Sequence, residues 1–108
     1  MEQDTKQITQ GCYAVIFTSR LNDPAPGYEE MAARMVKLAQ SMPGFLGLES
    51  ARGPDGLGIT VSWWRSKEDI VRWKAHPEHR KAQQLGKSRW YAGYDLRICK
   101  VERISVKD

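Results

Sequence analysis

The sequence predicts one α+β domain with a ferredoxin-like β-α-β-β-α-β order, and three observations lead to this fold class. A chain of 108 residues has the length of a single domain. Apolar residues alternate in four segments, as they do in strands, and recur at three- and four-residue steps in two stretches between them, as they do in helices. This order gives an antiparallel sheet with both helices on one face.

The first strand is predicted at residues 12–18, where both alternating faces are apolar. Residues 28–42 follow as the first helix, because Tyr28, Met31, Met35, Leu38 and Met42 recur at helical spacing. The dipeptide Pro43-Gly44 ends that helix. A strand apolar on both faces is covered on both sides, so the sheet needs a partner on the face without helices.

A hairpin is predicted next, with strands at residues 45–51 and 57–64 around the turn Gly53-Pro54-Asp55-Gly56. The second of these strands has two unlike faces. The more apolar face comprises Leu57, Ile59, Val61 and Trp63, and the smaller, more polar face comprises Gly58, Thr60, Ser62 and Trp64.

The second helical stretch begins at Ser66, a good N-cap residue, with Asp69 in the reciprocal position. Pro77 breaks this helix and is placed to start another, which we expect to end at Gly86 as a C′ residue. The last strand is predicted at residues 90–106. Its apolar set changes phase at Cys99, which indicates a bulge.

Composition excludes several classes of protein. Hydrophobic residues make up 41% and charged residues 28%, so the chain is not intrinsically disordered. No apolar run approaches the ~18 residues of a membrane span, and no apolar signal segment is visible at the start. We interpret residues 1–10 as a flexible tail and 11–108 as the domain. We expect a cytoplasmic protein without membrane contact, with Cys12 and Cys99 as buried free thiols.

Charge and indoles share one half of the chain. Residues 65–108 carry twelve basic and six acidic side chains, a net charge of +6, against +4 for the whole chain. All four tryptophans lie after residue 62, namely Trp63, Trp64, Trp73 and Trp90. We expect them to converge at one end of the sheet, with the positive excess at the rim of an aromatic pocket. The uncovered sheet face in turn predicts a homodimer with two sheets packed face to face.

Three groups of residues are candidates for chemistry. Trp73 either packs in the core or forms a cavity wall. His76 and His79 flank the helix break, where they could bind a metal, act as acid or base, or serve as a cap and an exposed residue. The segment 87–91, which includes Arg89, predicts cation–π pairing at the strand entry. It does not predict nucleic-acid binding, because the third strand lacks the aromatic pattern of RNA-recognition modules.

Taken in order, several short motifs resemble the antibiotic biosynthesis monooxygenase superfamily over about residues 13–106. They are Met42-Pro43-Gly44-Phe45, Ser62-Trp63-Trp64, Ser66-Lys67-Glu68-Asp69 with Trp73, His76-Pro77-Glu78-His79-Arg80, Trp90-Tyr91-x-x-Tyr94 and Cys99-x-Val101-Glu102-Arg103. The resemblance implies a dimeric α+β barrel, with a pocket between helices and sheet in each subunit. It also implies a cofactor-free oxygenase of phenolic molecules, or a haem-degrading enzyme. Two departures, Gln83 for the haem-ligating His and Ser19 for an Asn, argue against the haem branch unless His76 or His79 takes the place of that His.

The resemblance also suggests roles in a cofactor-free, metal-free oxygenation of a small aromatic molecule. Trp73 and Trp90 would be walls, with Tyr94 or Ser62 as hydrogen-bond donors and Ser19 at a substrate-binding position. The remaining roles are a base, His76 or His79, and a cation, Arg89 or Arg97, which stabilises phenolate and superoxide charge. The alternative is a non-catalytic dimeric domain that binds a hydrophobic metabolite or haem.

Overall fold

A computed structural model describes residues 8–107. The elements follow in the order β1 (Tyr13–Leu21), α1 (Tyr28–Gln40), β2 (Phe45–Arg52), β3 (Leu57–Trp64), α2 (Lys67–Ala75), α3 (Pro77–Leu85), a π-helical turn (Gly86–Trp90) and β4 (Tyr91–Lys100). Of the predicted flexible tail, residues 1–7 lie outside the described residues. Residue 9 contributes a carbonyl that accepts a hydrogen bond from the Cys12 N–H at 3.1 Å.

The four strands form one antiparallel sheet in the order β2-β3-β1-β4, which confirms the ferredoxin-like fold. The two faces of β3 are used in an unexpected way. Ser62 and Trp64, from its smaller and more polar face, are buried under the helices. Leu57 and Ile59, from its more apolar face, are 43% and 48% exposed on the side without helices. The polar face therefore lines the interior of the subunit.

The hydrophobic core fills one end of the layer between helices and sheet. Trp64 is fully buried and packs with Ala39, Ile70 and Trp73. Its indole N–H donates to the Ser62 hydroxyl at 2.9 Å, so the buried polar atom is satisfied. Trp64 pairs with Tyr13 at the start of β1. The core thus lies at the N-terminal end of β1, away from its C-terminal end.

The predicted break between the two C-terminal helices is confirmed. Ser66 caps α2, because its hydroxyl accepts from the Asp69 N–H at 3.2 Å and donates to the Asp69 carboxylate at 2.8 Å. Pro77 opens α3 in its first turn, where no N–H is needed. His76 Nδ1 accepts from the Glu78 N–H at 3.2 Å and so caps the same helix.

The predictions for the last segment need correction. Gly86 has φ −59° and ψ −49°, so the helical path does not stop there but continues as a π-helical turn to Trp90. β4 therefore begins at Tyr91, and it ends at Lys100 rather than at residue 106. The register shift in its pairing lies opposite Arg20 and Leu21, not at Cys99.

The cysteines also differ from each other. Cys12 is buried, as expected, but Cys99 is exposed. Cys99 pairs with Ala14 on the sheet face without helices, where none of the described helices covers it. Neither cysteine forms a disulfide bond within the described residues.

Candidate functional site

A cavity of about 420 Å³ lies between the helices and the sheet. Its floor is the inner face of the sheet, where Val15, Ser62 and Leu48 are paired across three strands. The next paired residues on this face include Thr60 and Ser50, whose hydroxyl oxygens are 2.9 Å apart. Side chains of α1 form much of the wall, chiefly Met31, Ala32, Met35 and Val36. The cavity is mostly apolar with a few inward polar groups, as is typical of sites for small molecules.

Trp73 closes the cavity at its core end. Its indole ring stacks on Trp64 with ring centroids 6.0 Å apart, and on the His79 imidazole at 3.9 Å and an interplanar angle of 14°. Trp73 is only 9% exposed, yet it lines the cavity. Trp73 therefore both packs in the core and forms part of the cavity wall.

His79 is fixed in one tautomer by the same neighbour. Its Nδ1 lies 2.9 Å from the Trp73 carbonyl oxygen, which only accepts hydrogen bonds, so Nδ1 carries the proton and Nε2 keeps its lone pair. Burial lowers the pKa of His79 below 6.5. The nearby His76 also lowers this pKa, while the bond to Trp73 opposes the shift. His79 is thus a neutral imidazole at neutral pH. Its ring is half-buried and lines the cavity, contrary to the expectation of an exposed side chain.

The opposite end of the cavity is aromatic and polar. Tyr28 meets the rings of Trp90 and Tyr91 edge-on, with centroids 5.7 and 5.8 Å apart. The Trp90 indole N–H donates to the Pro26 carbonyl at 2.9 Å. Burial and the neighbouring Tyr28 hydroxyl raise the pKa of Tyr91 well above its ordinary value, so this phenol keeps its proton. Behind Tyr28 lies Arg52, which donates to the Tyr28 hydroxyl at 3.3 Å.

The structure brings five of the predicted site residues to this cavity, namely Trp73, His79, Trp90, Tyr94 and Ser62. Three others lie elsewhere. His76 serves as a helix cap, and Ser19 is fully buried outside the lining, where its hydroxyl accepts from Arg52 at 2.7 Å. The Arg89 side chain is exposed, and its carbonyl accepts from the Asn22 amide at 3.1 Å.

Two further expectations change. Arg97 is exposed and ion-paired with Asp95 at 2.8 Å, on the sheet face away from the cavity. Cation–π pairing within the segment 87–91 does not form: in the described part of the chain, the two contacts of this kind are Arg52 over Tyr28 and Lys67 over Tyr13.

The four tryptophans do not converge at one end. Trp64 and Trp73 close the core end of the cavity, and Trp90 lies at its opposite end. The Trp63 indole N–H donates to the Glu49 carboxylate at 3.0 Å on the uncovered sheet face. The predicted basic rim is represented by Lys74 and Lys87, which line the cavity.

Sequence reasoning missed Tyr28, Tyr91 and Arg52 as candidates for the site. Tyr28 and Tyr91 were recognised only as parts of a helical stripe and a strand entry. A glycine inside a strand signals the close approach of another group, and Gly58 is such a signal for Arg52. A Cβ atom at Gly58 would lie 2.6 Å from Arg52 Cζ.

Between residues 8 and 107, no three His, Cys, Asp or Glu side chains come together in a way that could hold a metal ion. None of the helices in that range is long and apolar enough to span a membrane.

Comparisons with known proteins give consistent results. The sequence model of the family "Antibiotic biosynthesis monooxygenase" matches residues 19–85. Uncharacterized protein YqjZ of Bacillus subtilis is 52% identical over 91 residues, which covers 84% of this chain and 80% of that protein.

Among solved structures, SnoaB of Streptomyces nogalater, a cofactor-independent oxygenase, superimposes with a TM-score of 0.74 at 12% identity, over 87% of this chain and 96% of that one. Rv0793 of Mycobacterium tuberculosis gives a TM-score of 0.77 at 10% identity, over 88% and 99% of the two chains. At these identities the two structures show a shared fold.

Proposed function

Because this chain belongs to the antibiotic biosynthesis monooxygenase family, we propose that it is a cofactor-independent monooxygenase that oxidises a phenolic aromatic molecule in the cavity. The observation that carries the proposal is the state of His79. A neutral imidazole in the cavity wall, with Nδ1 bound to a carbonyl and Nε2 free, is a base ready to take a phenol proton.

The reaction needs no external reductant. His79 Nε2 accepts the phenol proton, and the electron-rich anion reduces dioxygen and forms a carbon–oxygen bond at a ring methylene conjugated with the phenol. That methylene becomes a carbonyl, and the second oxygen atom leaves as water with the two methylene hydrogens. The substrate thus supplies all four electrons that reduce dioxygen.

The cavity supplies what such a reaction requires of the protein. Trp73 and Met35 offer apolar surface for a flat ring system, and exclusion of water there strengthens electrostatic interactions. Lys74 and Lys87 add positive charge that favours phenolate and superoxide. The residue at the position of the haem ligand is Gln83, which lies 3.4 Å from His79 Nδ1. Gln83 carries an amide in place of the imidazole that ligates haem.

We further propose that the protein acts as a homodimer through the sheet face without helices. Leu57 and Ile59 are about half exposed there. The same face carries Asp95 and Arg97, an oppositely charged pair on β4. A face with an apolar centre and both charges at one edge is complementary to its own two-fold copy, so the occupant we infer is a second copy of this chain.

Oxygen uptake with polycyclic phenols tests the function. The wild type is expected to consume dioxygen without added cofactor or metal, and the His79→Asn variant to lose about a hundredfold or more in kcat. Asparagine retains a donor near the position of Nδ1 for the Trp73 carbonyl, so the fold is preserved while the Nε2 base is removed. Trp73→Ala is expected to raise KM by loss of ring contact.

The matched control is His76→Asn, which keeps an N-capping side chain for α3 and alters no residue of the cavity lining. Although His76 contributes to the lowered pKa of His79, burial is the larger cause, so His79 is neutral in both proteins at about pH 8 and the control should retain wild-type uptake there. Equal rates for the wild type and His79→Asn would contradict the role of His79. Binding of the phenol without any uptake by the wild type would favour a non-catalytic binding domain, and a stoichiometric shift of the haem Soret band would favour haem binding.

A further inference from the structure

A cationic side chain lies behind Tyr28, outside the cavity lining and at the end opposite His79. Arg52, at the end of β2, pairs with Gly58 in β3, which in turn pairs with Ser19 in β1. The guanidinium crosses above Gly58 because that residue has no side chain. Its Nη2 donates to the Ser19 hydroxyl at 2.7 Å, and its Nη1 donates to the Ser19 carbonyl at 3.2 Å and to the Gly56 carbonyl.

The charge of Arg52 is not neutralised within the described part of the chain. The ion pairs there are Arg34 with Glu78, Arg72 with Asp69 and Arg97 with Asp95. Every recorded acceptor of Arg52 is a neutral oxygen. A half-buried guanidinium without a carboxylate leaves a positive potential at this end of the cavity.

Two phenol groups extend this potential into the cavity. The Tyr28 hydroxyl accepts from Arg52 Nη2 at 3.3 Å, so its own proton is available to another acceptor. Tyr91 lines the cavity beside it. Burial and a hydrogen bond with the Tyr28 hydroxyl raise the pKa of Tyr91, so this phenol keeps its proton and directs it towards Tyr28. Between residues 8 and 107, no protein carboxylate or carbonyl is recorded as accepting from either phenol. The charged groups among the described lining residues, Lys74 and Lys87, are basic.

We propose that the Tyr28 hydroxyl, with Tyr91 beside it and Arg52 behind it, binds a carboxylate, and that the natural ligand is an aromatic carboxylate. The ring system lies against Trp73, and the carboxylate accepts from the Tyr28 hydroxyl at the opposite end. Arg52 is a positioning residue that fixes Tyr28 as a donor and supplies charge. The identity of the ligand as an oxygenase substrate rests on the function proposed above, but its binding does not.

Binding measured without turnover tests this site. The probes are 3-hydroxy-2-naphthoate and 2-naphthol, which differ by the carboxylate, titrated anaerobically by calorimetry. The wild type is expected to bind the naphthoate about tenfold more tightly than the naphthol. Tyr28→Phe should abolish most of this preference and change the affinity for naphthol by no more than about twofold.

Tyr13→Phe is the matched control, because Tyr13 is also a half-buried tyrosine on the helix-facing side of the sheet but does not line the cavity. It should keep the wild-type preference. Arg52→Gln should lose the preference as Tyr28→Phe does. Because Arg52 also hydrogen-bonds β1 and the turn before β3, Tyr28→Phe gives the decisive result if Arg52→Gln fails to fold.

Three outcomes would overturn the proposal: equal binding of both probes by the wild type, an unchanged preference in Tyr28→Phe, or an equal loss for both probes in that variant. The test separates this site from the oxygenase function. Preference for the naphthoate without oxygen uptake would support the carboxylate site and contradict the oxygenase. Oxygen uptake without a preference for the naphthoate would support the oxygenase and contradict the carboxylate site.

Discussion

At the scale of single residues, the pKa of His79 links structure to pH. The folded chain holds this pKa below 6.5, mainly through burial. Below pH 6.5 the unfolded chain therefore binds a proton that the folded chain does not. The free energy of unfolding must fall as the pH decreases from 6.5 towards the lowered pKa. Above pH 6.5, His79 is neutral in both states and does not lower this free energy.

Urea denaturation at about pH 7.5 and about pH 5.5, on either side of 6.5, measures this effect. We expect His79→Asn to lose less unfolding free energy than the wild type over this interval, because asparagine does not titrate. His76 and the lysines Lys74 and Lys87 remain in both proteins, so the difference between the two losses reports His79 together with its electrostatic coupling to His76. An equal loss in the two proteins would show that His79 titrates normally in the folded state.

At the scale of elements, the connection between α1 and β2 packs closely on the start of α2. Gly44 has a φ of +80°, and a Cβ atom there would overlap the buried Asp69 carboxylate. The same carboxylate accepts from Ser66 and is ion-paired with Arg72. Gly44 is thus required both for its backbone conformation and for the space it leaves.

Two alanine variants separate these requirements. Gly11 has a similar φ of +91°, but a Cβ atom there would meet nothing within 4 Å. Gly11→Ala should therefore cost about 1 kcal/mol of unfolding free energy, from backbone strain alone. Gly44→Ala should cost about 1–3 kcal/mol more, because the Asp69 carboxylate must move. Urea denaturation gives both values, and equal costs would mean that Asp69 moves without penalty.

The elements were predictable where local patterns decide them. Ser66, Pro77 and the hairpin turn are local signals, and each marks a real boundary. The end of α3 was not predictable, because the π-helical turn that buries Trp90 satisfies tertiary packing rather than the preference of Gly86. The end of β4 was not predictable either, because an alternating apolar pattern does not reveal where the neighbouring strand stops.

Helix periodicity was enough to predict that Trp73 lies on the inner side of α2. Arg52 required knowledge of the strand register. The pairing of β2 with β3 shifts between Phe45 and Gly47, where Leu46 is the extra residue. A shift of one residue moves every later side chain to the other face. Without that bulge Arg52 would point away from Ser19, so composition and spacing alone could not place it.

At the scale of the whole molecule, the proposed ligand site and the proposed dimer surface lie on opposite faces of the sheet. Ser62 and Thr60 lie under the helices beside the cavity, while Leu57 and Ile59 face outwards. A monomer would be more stable with the reverse arrangement, in which the larger apolar side chains are buried under the helices. The arrangement is favourable when the outer face is covered by a second copy of the chain.

Light scattering coupled to size-exclusion chromatography tests the dimer. The wild type is expected to elute with twice the mass of one chain, and Ile59→Glu as a monomer, because the dimer would bury a carboxylate in an apolar interface. Ile59 is 48% exposed in the single chain, so the glutamate is tolerated in the fold. Val71→Glu, at a 65% exposed position on α2, changes the same kind of residue on the helical side and should remain dimeric. A dimeric Ile59→Glu, or a monomeric Val71→Glu, would place the interface away from the sheet.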